Sequence, residues 1–125
     1  MKNLIIDATS ENIFFSIISK SQSYTTTHIN SRENFDLFTT LISNFLKKNK
    51  ISLNEIKSIF VNLGPGKFSS IKASISVAKA ISLTRSIELY GFKSSDIKDN
   101  NYEKLLKIDK NFFLINDLIK PLYSS

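Results

Sequence analysis

The sequence predicts an α/β domain: a mixed five-stranded sheet with helices packed on its faces, in the order β-β-β-α-β-α-β. Three observations carry this. Apolar and β-branched runs at residues 3 to 7, 12 to 18 and 24 to 29 follow one another across short polar connections, the mark of an antiparallel meander. After residue 30 the hydrophobic period lengthens twice to that of a helix, and each helix is followed by an apolar strand-like run. A meander followed by two such units predicts a mixed sheet.

Each element has its own signal. Asn-Leu-Ile-Ile-Asp (3–7) reads as a buried strand ending at an acid, and 8 to 11 as a polar turn. Residues 12 to 18 form the second strand, 19 to 23 a turn, and the threonine-rich 24 to 29 the third strand. Asn30, with Glu33 three residues on, makes a capping-box pattern opening a helix over 33 to 48. Phe35, Phe38, Leu41, Ile42, Phe45 and Leu46 follow at helical spacing, and Lys47, Lys48 and Lys50 suit its C-terminal end. Ser52 and Glu55 form a second capping box, ahead of a strand at 58 to 62. Leu63-Gly64-Pro65-Gly66 is a sharp turn, 68 to 85 a helix and 87 to 91 a fifth strand. Beyond lie a loop at 94 to 101, a short helix containing Tyr102, Leu105 and Leu106 with Asn100 and Glu103 as its cap, and a last strand at 112 to 115. Pro121 and the closing serines suggest a frayed end.

At 125 residues the chain suits one ordinary core. No apolar run reaches the length of about 20 residues that spans a bilayer, and Asp7 interrupts the short N-terminal one, which argues against a secretory signal. The absence of cysteine excludes disulfides and thiolate chemistry and suits a reducing cytoplasm, the expected location. Net charge is +6, and residues 47 to 79 hold seven lysines against Glu55 alone. No arginine or aromatic residues alternate with them as a base-stacking surface would require, so a solvated lysine-rich face is the plainer reading.

The helix at 68 to 85 has two apolar faces. Phe68, Ile71, Ile75 and Ala78 share one; Ala73, Val77, Ala80 and Ile81 share another nearly opposite. A helix on a sheet needs one such face. Phe38, Leu41, Phe45, Ala73, Val77 and Ala80 together offer more apolar surface than a sheet face requires, and they are the expected partner-binding residues. His28 has no companion cysteine or histidine and reads as an ordinary strand residue. Gly66-Lys67 is no P-loop: Val61 stands where the first glycine belongs, and Phe68 where a hydroxyl would meet magnesium.

The stretch from Ile59 to Ser95 contains Leu-Gly-Pro-Gly-Lys-Phe-Ser-Ser-Ile-Lys, then a small-residue helix and Leu-Tyr-Gly-Phe-Lys-Ser-Ser; the N-terminus reads Leu-Ile-Ile-Asp-Ala-Thr-Ser-Glu. Over about residues 1 to 96 this resembles the TsaB family, whose signature runs Gly-Pro-Gly-Ser-Phe-Thr-Gly-Leu-Arg after a strand. Lys67, Ser70 and Ala8 depart from it. The resemblance implies a ribonuclease H-like lobe of the actin-like ATPase type over 1 to 93. Residues 94 to 125 would be a short extension, the remnant of a second lobe. Asp7, Thr9, Gly64 and Gly66 would be positions of a degenerate phosphate loop.

The resemblance further implies a non-catalytic scaffold subunit of the machinery that places threonylcarbamoyl on adenosine in ANN-decoding tRNA. The partners it implies are a TsaD-like catalytic subunit and a TsaE-like ATPase, with tRNA reached through the complex. A second copy of the chain is the other candidate partner, and no membrane is expected. ATP and metal are expected on the partner subunits and no cofactor in this chain. Two rivals stand beside this reading: a small actin-like ATPase or phosphotransferase, and a direct RNA-binding module built on residues 47 to 79.

Overall fold

The computed structural model describes residues 2–97, 101–106 and 123–124. Three hairpin-linked strands come first: β1 (Lys2–Asp7), β2 (Asn12–Ile18) and β3 (Ser23–Ile29). They are followed by α1 (Arg32–Asp36), α2 (Phe38–Lys48), β4 (Ile56–Asn62), the two-residue β5 (Gly66–Lys67), α3 (Phe68–Arg85) and β6 (Glu88–Phe92). The main sheet has the order β3-β2-β1-β4-β6. β1–β2 and β2–β3 pair antiparallel, while β1–β4 and β4–β6 pair parallel, which makes the expected mixed sheet. A second, two-stranded sheet joins β5 in parallel to β7 (Tyr123–Ser124).

Strand position explains strand composition. β1 is central and covered on both faces, so Leu4, Ile5 and Ile6 form an unbroken apolar run. β3 is an edge strand and alternates between exposed and half-buried residues. Leu4, Ile6, Ile59 and Val61 point to the face that α2 and α3 cover, where Phe38, Ile42, Phe45, Ile71, Ile75 and Ala78 complete the core. Ile5, Phe60, Tyr90 and Phe92 point to the other face, closed by Ile97, Tyr102 and Leu105 from the segment after β6. Full burial of each such large side chain contributes about 1.5–3 kcal/mol.

The first helical region differs from expectation in two ways. Its N-cap is Ser31, whose Oγ accepts from the Asn34 amide at 3.3 Å. Asn30 turns back instead, donating from Nδ2 to the carbonyls of Ala8 at 3.0 Å and Ser10 at 2.7 Å, so it pins the β1–β2 turn. The helix also breaks at Leu37, where φ is −102° and ψ is 9°. The break brings Phe38 edge-on to Phe15, with ring centroids 5.4 Å apart. The capping box at Ser52 and Glu55 forms as expected, with Ser52 N donating to Glu55 Oε2 at 2.7 Å. The tail turn at Tyr102–Leu106 is 3-10 rather than α. The strand expected at 112 to 115, the cap at Asn100, the frayed end at Pro121 and most of the 94 to 125 extension lie outside the described residues.

Candidate functional site

Two places in the fold collect chemistry. The first is the C-terminal end of the parallel strands. Asp7 ends β1 and is buried. Its Oδ1 accepts from the Thr9 amide at 3.2 Å and from Thr9 Oγ1 at 2.9 Å, an Asx-type turn that reverses the chain into β2. Its Oδ2 accepts from the Tyr102 phenol at 2.8 Å. Asn62 ends β4 beside it. Asn62 Nδ2 donates to Ser94 Oγ at 3.1 Å and Thr9 Oγ1 at 3.4 Å, and Oδ1 accepts from the Gly64 amide at 2.9 Å.

The glycines of the turn serve this cluster. Gly64 has φ 117°, a conformation that side chains resist. A Cβ on Gly66 would lie 2.7 Å from the Thr9 carbonyl oxygen, so glycine is what lets α3 begin against the β1–β2 turn. Asp7, Thr9, Gly64 and Gly66 therefore do come together. The structure adds three residues to them: Asn62, Ser94 and Tyr102. Asn62 had a signal in the sequence, a polar residue closing an apolar strand; Tyr102 had none.

Both oxygens of Asp7 are engaged by the chain's own donors. Burial raises the Tyr102 phenol well above its ordinary value, and the charge of Asp7 and the bond to it add to the effect. Among the described residues no three His, Cys, Asp or Glu side chains lie where they could share a metal ion. His28 stands with its ring 5.9 Å from Phe15. The arrangement holds three strand ends, a turn and the tail segment in one hydrogen-bonded unit.

The second place lies between α2 and α3. A groove of about 400 Å³ runs along α3 past Ser76, Val77, Ala80, Ile81 and Thr84, with Thr39 and Leu53 as its far wall. It continues into a hollow of about 330 Å³ that reaches Ile42, Leu46 and Ile51. Arg85 borders both and Lys47 the second, so the rim is basic and the wall apolar. Leu83, on the last turn of α3, is 82% exposed. No helix of the described residues is long and apolar enough to cross a membrane.

The six residues expected at a partner surface divide. Phe38 and Phe45 are 1% and 5% exposed and belong to this chain's own core, on the side of α2 that packs with Ile42 and Leu46 against the sheet. They are corrected to core residues. Leu41, Ala73 and Val77 are half-buried at the core's edge, and Ala80 is exposed. Thr39, Leu53, Thr84 and Arg85 join the surface without having been singled out in the sequence. Phe68, expected on the sheet-facing side of α3, is half-exposed instead, with Lys72 Nζ 5.7 Å from its ring centre.

Comparison with known proteins gives a consistent picture. Residues 19–97 match the family model described as TsaD: tRNA N6-adenosine threonylcarbamoyltransferase. The tRNA threonylcarbamoyladenosine biosynthesis protein TsaB of Buchnera aphidicola subsp. Schizaphis graminum is 24% identical over 120 residues, covering 96% of this chain and 57% of that protein. Its counterpart from Buchnera aphidicola subsp. Baizongia pistaciae is 49% identical over 43 residues, 34% of this chain and 20% of that protein. Among solved structures, YeaZ from Pseudomonas aeruginosa superposes with a TM-score of 0.68 at 14% identity, over 74% of this chain and 43% of that one. RuvC of T. thermophilus, in complex with a Holliday junction substrate, superposes with a TM-score of 0.54 at 7% identity, over 77% of this chain and 66% of that one. The last two likenesses concern the fold alone. The chain thus spans little more than half the length of the curated relative that it matches almost end to end.

Proposed function

The chain belongs to the TsaB family, within the wider family of the TsaD model, and on that footing we propose that it is a non-catalytic partner subunit in tRNA threonylcarbamoyladenosine formation. Its role is to present the α2–α3 surface to a TsaD-like catalytic subunit. The observation that carries this reading is the apolar groove along α3. Val77, Ala80 and Ile81 line it on a helix whose opposite side, at Ile71, Ile75 and Ala78, already meets the sheet. Small side chains at Ser76 and Ala80 permit close approach of another helix, and the Arg85 and Lys47 rim favours acids at the border of the partner's apolar face.

The state of Asp7 supports the non-catalytic part of the proposal. Its carboxylate accepts from Thr9 and Tyr102 and so already serves to hold the turn and the tail segment to β1. ATP, the metal and the transfer chemistry are accordingly assigned to the partner subunits, a TsaE-like ATPase among them, and tRNA is reached through the assembly. The test is co-purification of this chain with a TsaD-like subunit from the same cell, followed by reconstitution of tRNA modification with and without the chain. Stable association and dependence of the modification on the chain are expected. No association, or tight binding of ATP and magnesium by the isolated chain, would overturn the proposal in favour of an actin-like ATPase.

A further inference from the structure

The lysines crowded into residues 47 to 79 do not stay together in the fold. Lys47 and Lys48 end α2, Lys67 lies in β5, and Lys72 and Lys79 lie on α3. A different set converges at the end of the sheet away from Asp7. β1 and β4 run parallel, so their starts share an end; Lys2 opens one and Lys57 is the second residue of the other. β2 runs against β1, with Ile18 paired to Asn3, so the β2–β3 turn carrying Lys20 arrives at the same end. Lys2, Lys20 and Lys57 thereby line one hollow of about 570 Å³, alongside Ser19, Ser21 and Gln22.

The charge in this hollow is largely uncompensated. Lys2 pairs with Glu55 at 3.2 Å. Among the described residues Lys20 and Lys57 have no ion-pair partner, and both are exposed. Ser21 and the side-chain amide of Gln22 are likewise exposed donors. Flexible ammonium groups beside hydroxyl and amide donors suit tetrahedral oxyanions and the hydroxyls next to them. The hollow lies at the end of the sheet: Asn3 and Leu106 belong to the face away from the helices, whereas Lys2, paired with Ile56 of the helix-side core, reaches Glu55. It shares no lining residue with the α3 groove.

We propose that the hollow formed by Lys2, Lys20 and Lys57 is a binding subsite for the phosphodiester backbone of RNA. The choice of RNA over an acidic protein rests on the function proposed above and on the wall itself, where among the described residues Leu106 is the one apolar side chain to anchor a peptide. The subsite reads charge and not sequence, since its lining among the described residues holds no aromatic side chain for a base to stack on.

The test is tRNA binding by the full chain, measured by fluorescence anisotropy between low and physiological salt. For a few phosphate contacts the logarithmic salt slope should be about −2 to −3. The double variant Lys20→Glu/Lys57→Glu should lose about tenfold or more in affinity and flatten the slope by about 1.5. The variant Lys67→Glu/Lys72→Glu has the same net charge and exposed sites elsewhere, and it should lose far less. Equal losses in the two variants, absence of tRNA binding by the wild-type chain, or displacement of tRNA by polyglutamate at matched charge would each overturn the proposal. Co-purification with the TsaD-like subunit reads the α2–α3 surface and should survive in the folded Lys20→Glu/Lys57→Glu variant. Its loss from the wild-type chain would instead count against the proposed function.

Discussion

The Tyr102 phenol donates to Asp7 Oδ2 at 2.8 Å, a buried bond between residues 95 apart in the chain. It ties the segment after β6 to the end of β1. Tyr102 and Leu105 also complete the core on that face, so the bond and the packing act together. Hydrogen bonds to charged groups are worth about 1.5–3 kcal/mol, and Tyr102→Phe should cost about that much because it leaves a buried carboxylate oxygen without its donor. Urea denaturation of the single variants Tyr102→Phe and Asp7→Asn and of the double variant should show marked non-additivity. An unchanged midpoint for Tyr102→Phe would sink the idea that this bond holds the tail segment down.

The same bond predicts an alkaline limit to stability. Burial, with Asp7 adding, holds the Tyr102 phenol well above its ordinary value. Tyr90 is raised to about 12, first by burial and then by its bond to Glu88. A phenol raised in the folded state stabilises the fold fully below its unfolded value of about 10. Above that the unfolded chain releases the proton while the native chain keeps it, so stability falls as pH rises. Denaturation midpoints should be level up to about pH 9 and drop from about pH 10 upward, less steeply in Tyr102→Phe. Equal slopes for wild type and Tyr102→Phe would assign the alkaline loss to other groups.

Much of this fold was legible in the sequence because its strands announce themselves. Residues 3 to 7 and 12 to 18 are apolar runs bounded by polar turns, and the helix over 68 to 85 matches its expected span. Local chemistry misled where two residues competed for one role. Asn30 and Ser31 both suit an N-cap, and the carbonyls of Ala8 and Ser10, brought close only by the sheet, claimed Asn30. Helical spacing also groups Phe38 and Phe45 with Ile42 and Leu46 on one face without saying what that face meets, and it meets this chain's own sheet. The strand-end site was half legible: Asp7 and the glycines lie in motifs, whereas Tyr102 reaches Asp7 only through long-range packing.

Gly66 should resist even the smallest side chain. Its Cβ would meet Thr9 O at 2.7 Å and Thr9 Cα at 2.9 Å, both backbone atoms of a turn held by Asp7. Backbone shifts forced by overpacking cost about 1–3 kcal/mol, and Gly66→Ala is expected within that range. Thermal unfolding followed by circular dichroism is the check. A variant as stable as wild type would show that the β1–β2 turn yields freely to α3.

The last prediction concerns the proposed partner surface. Phe38 and Phe45 cannot report on it, since charges there would unfold the chain's own core. Ala80 is the better probe: it is exposed on α3, lines the groove, and lies one turn from Val77 and Thr84. In the free chain Ala80→Glu places a carboxylate in solvent, so its circular dichroism spectrum and melting temperature should remain native-like. In the complex the same carboxylate would be buried without a partner, at a cost of about 3 kcal/mol or more. That corresponds to a loss of about a hundredfold or more in affinity for the TsaD-like subunit, or for a second copy if the face pairs with itself. Ala73→Glu, at a half-buried site on the same face, should weaken association as well but with some loss of stability. Sedimentation velocity and pull-down of the folded variants decide the matter. Wild-type association by folded Ala80→Glu and Val77→Glu chains would remove this face of α3 from the interface.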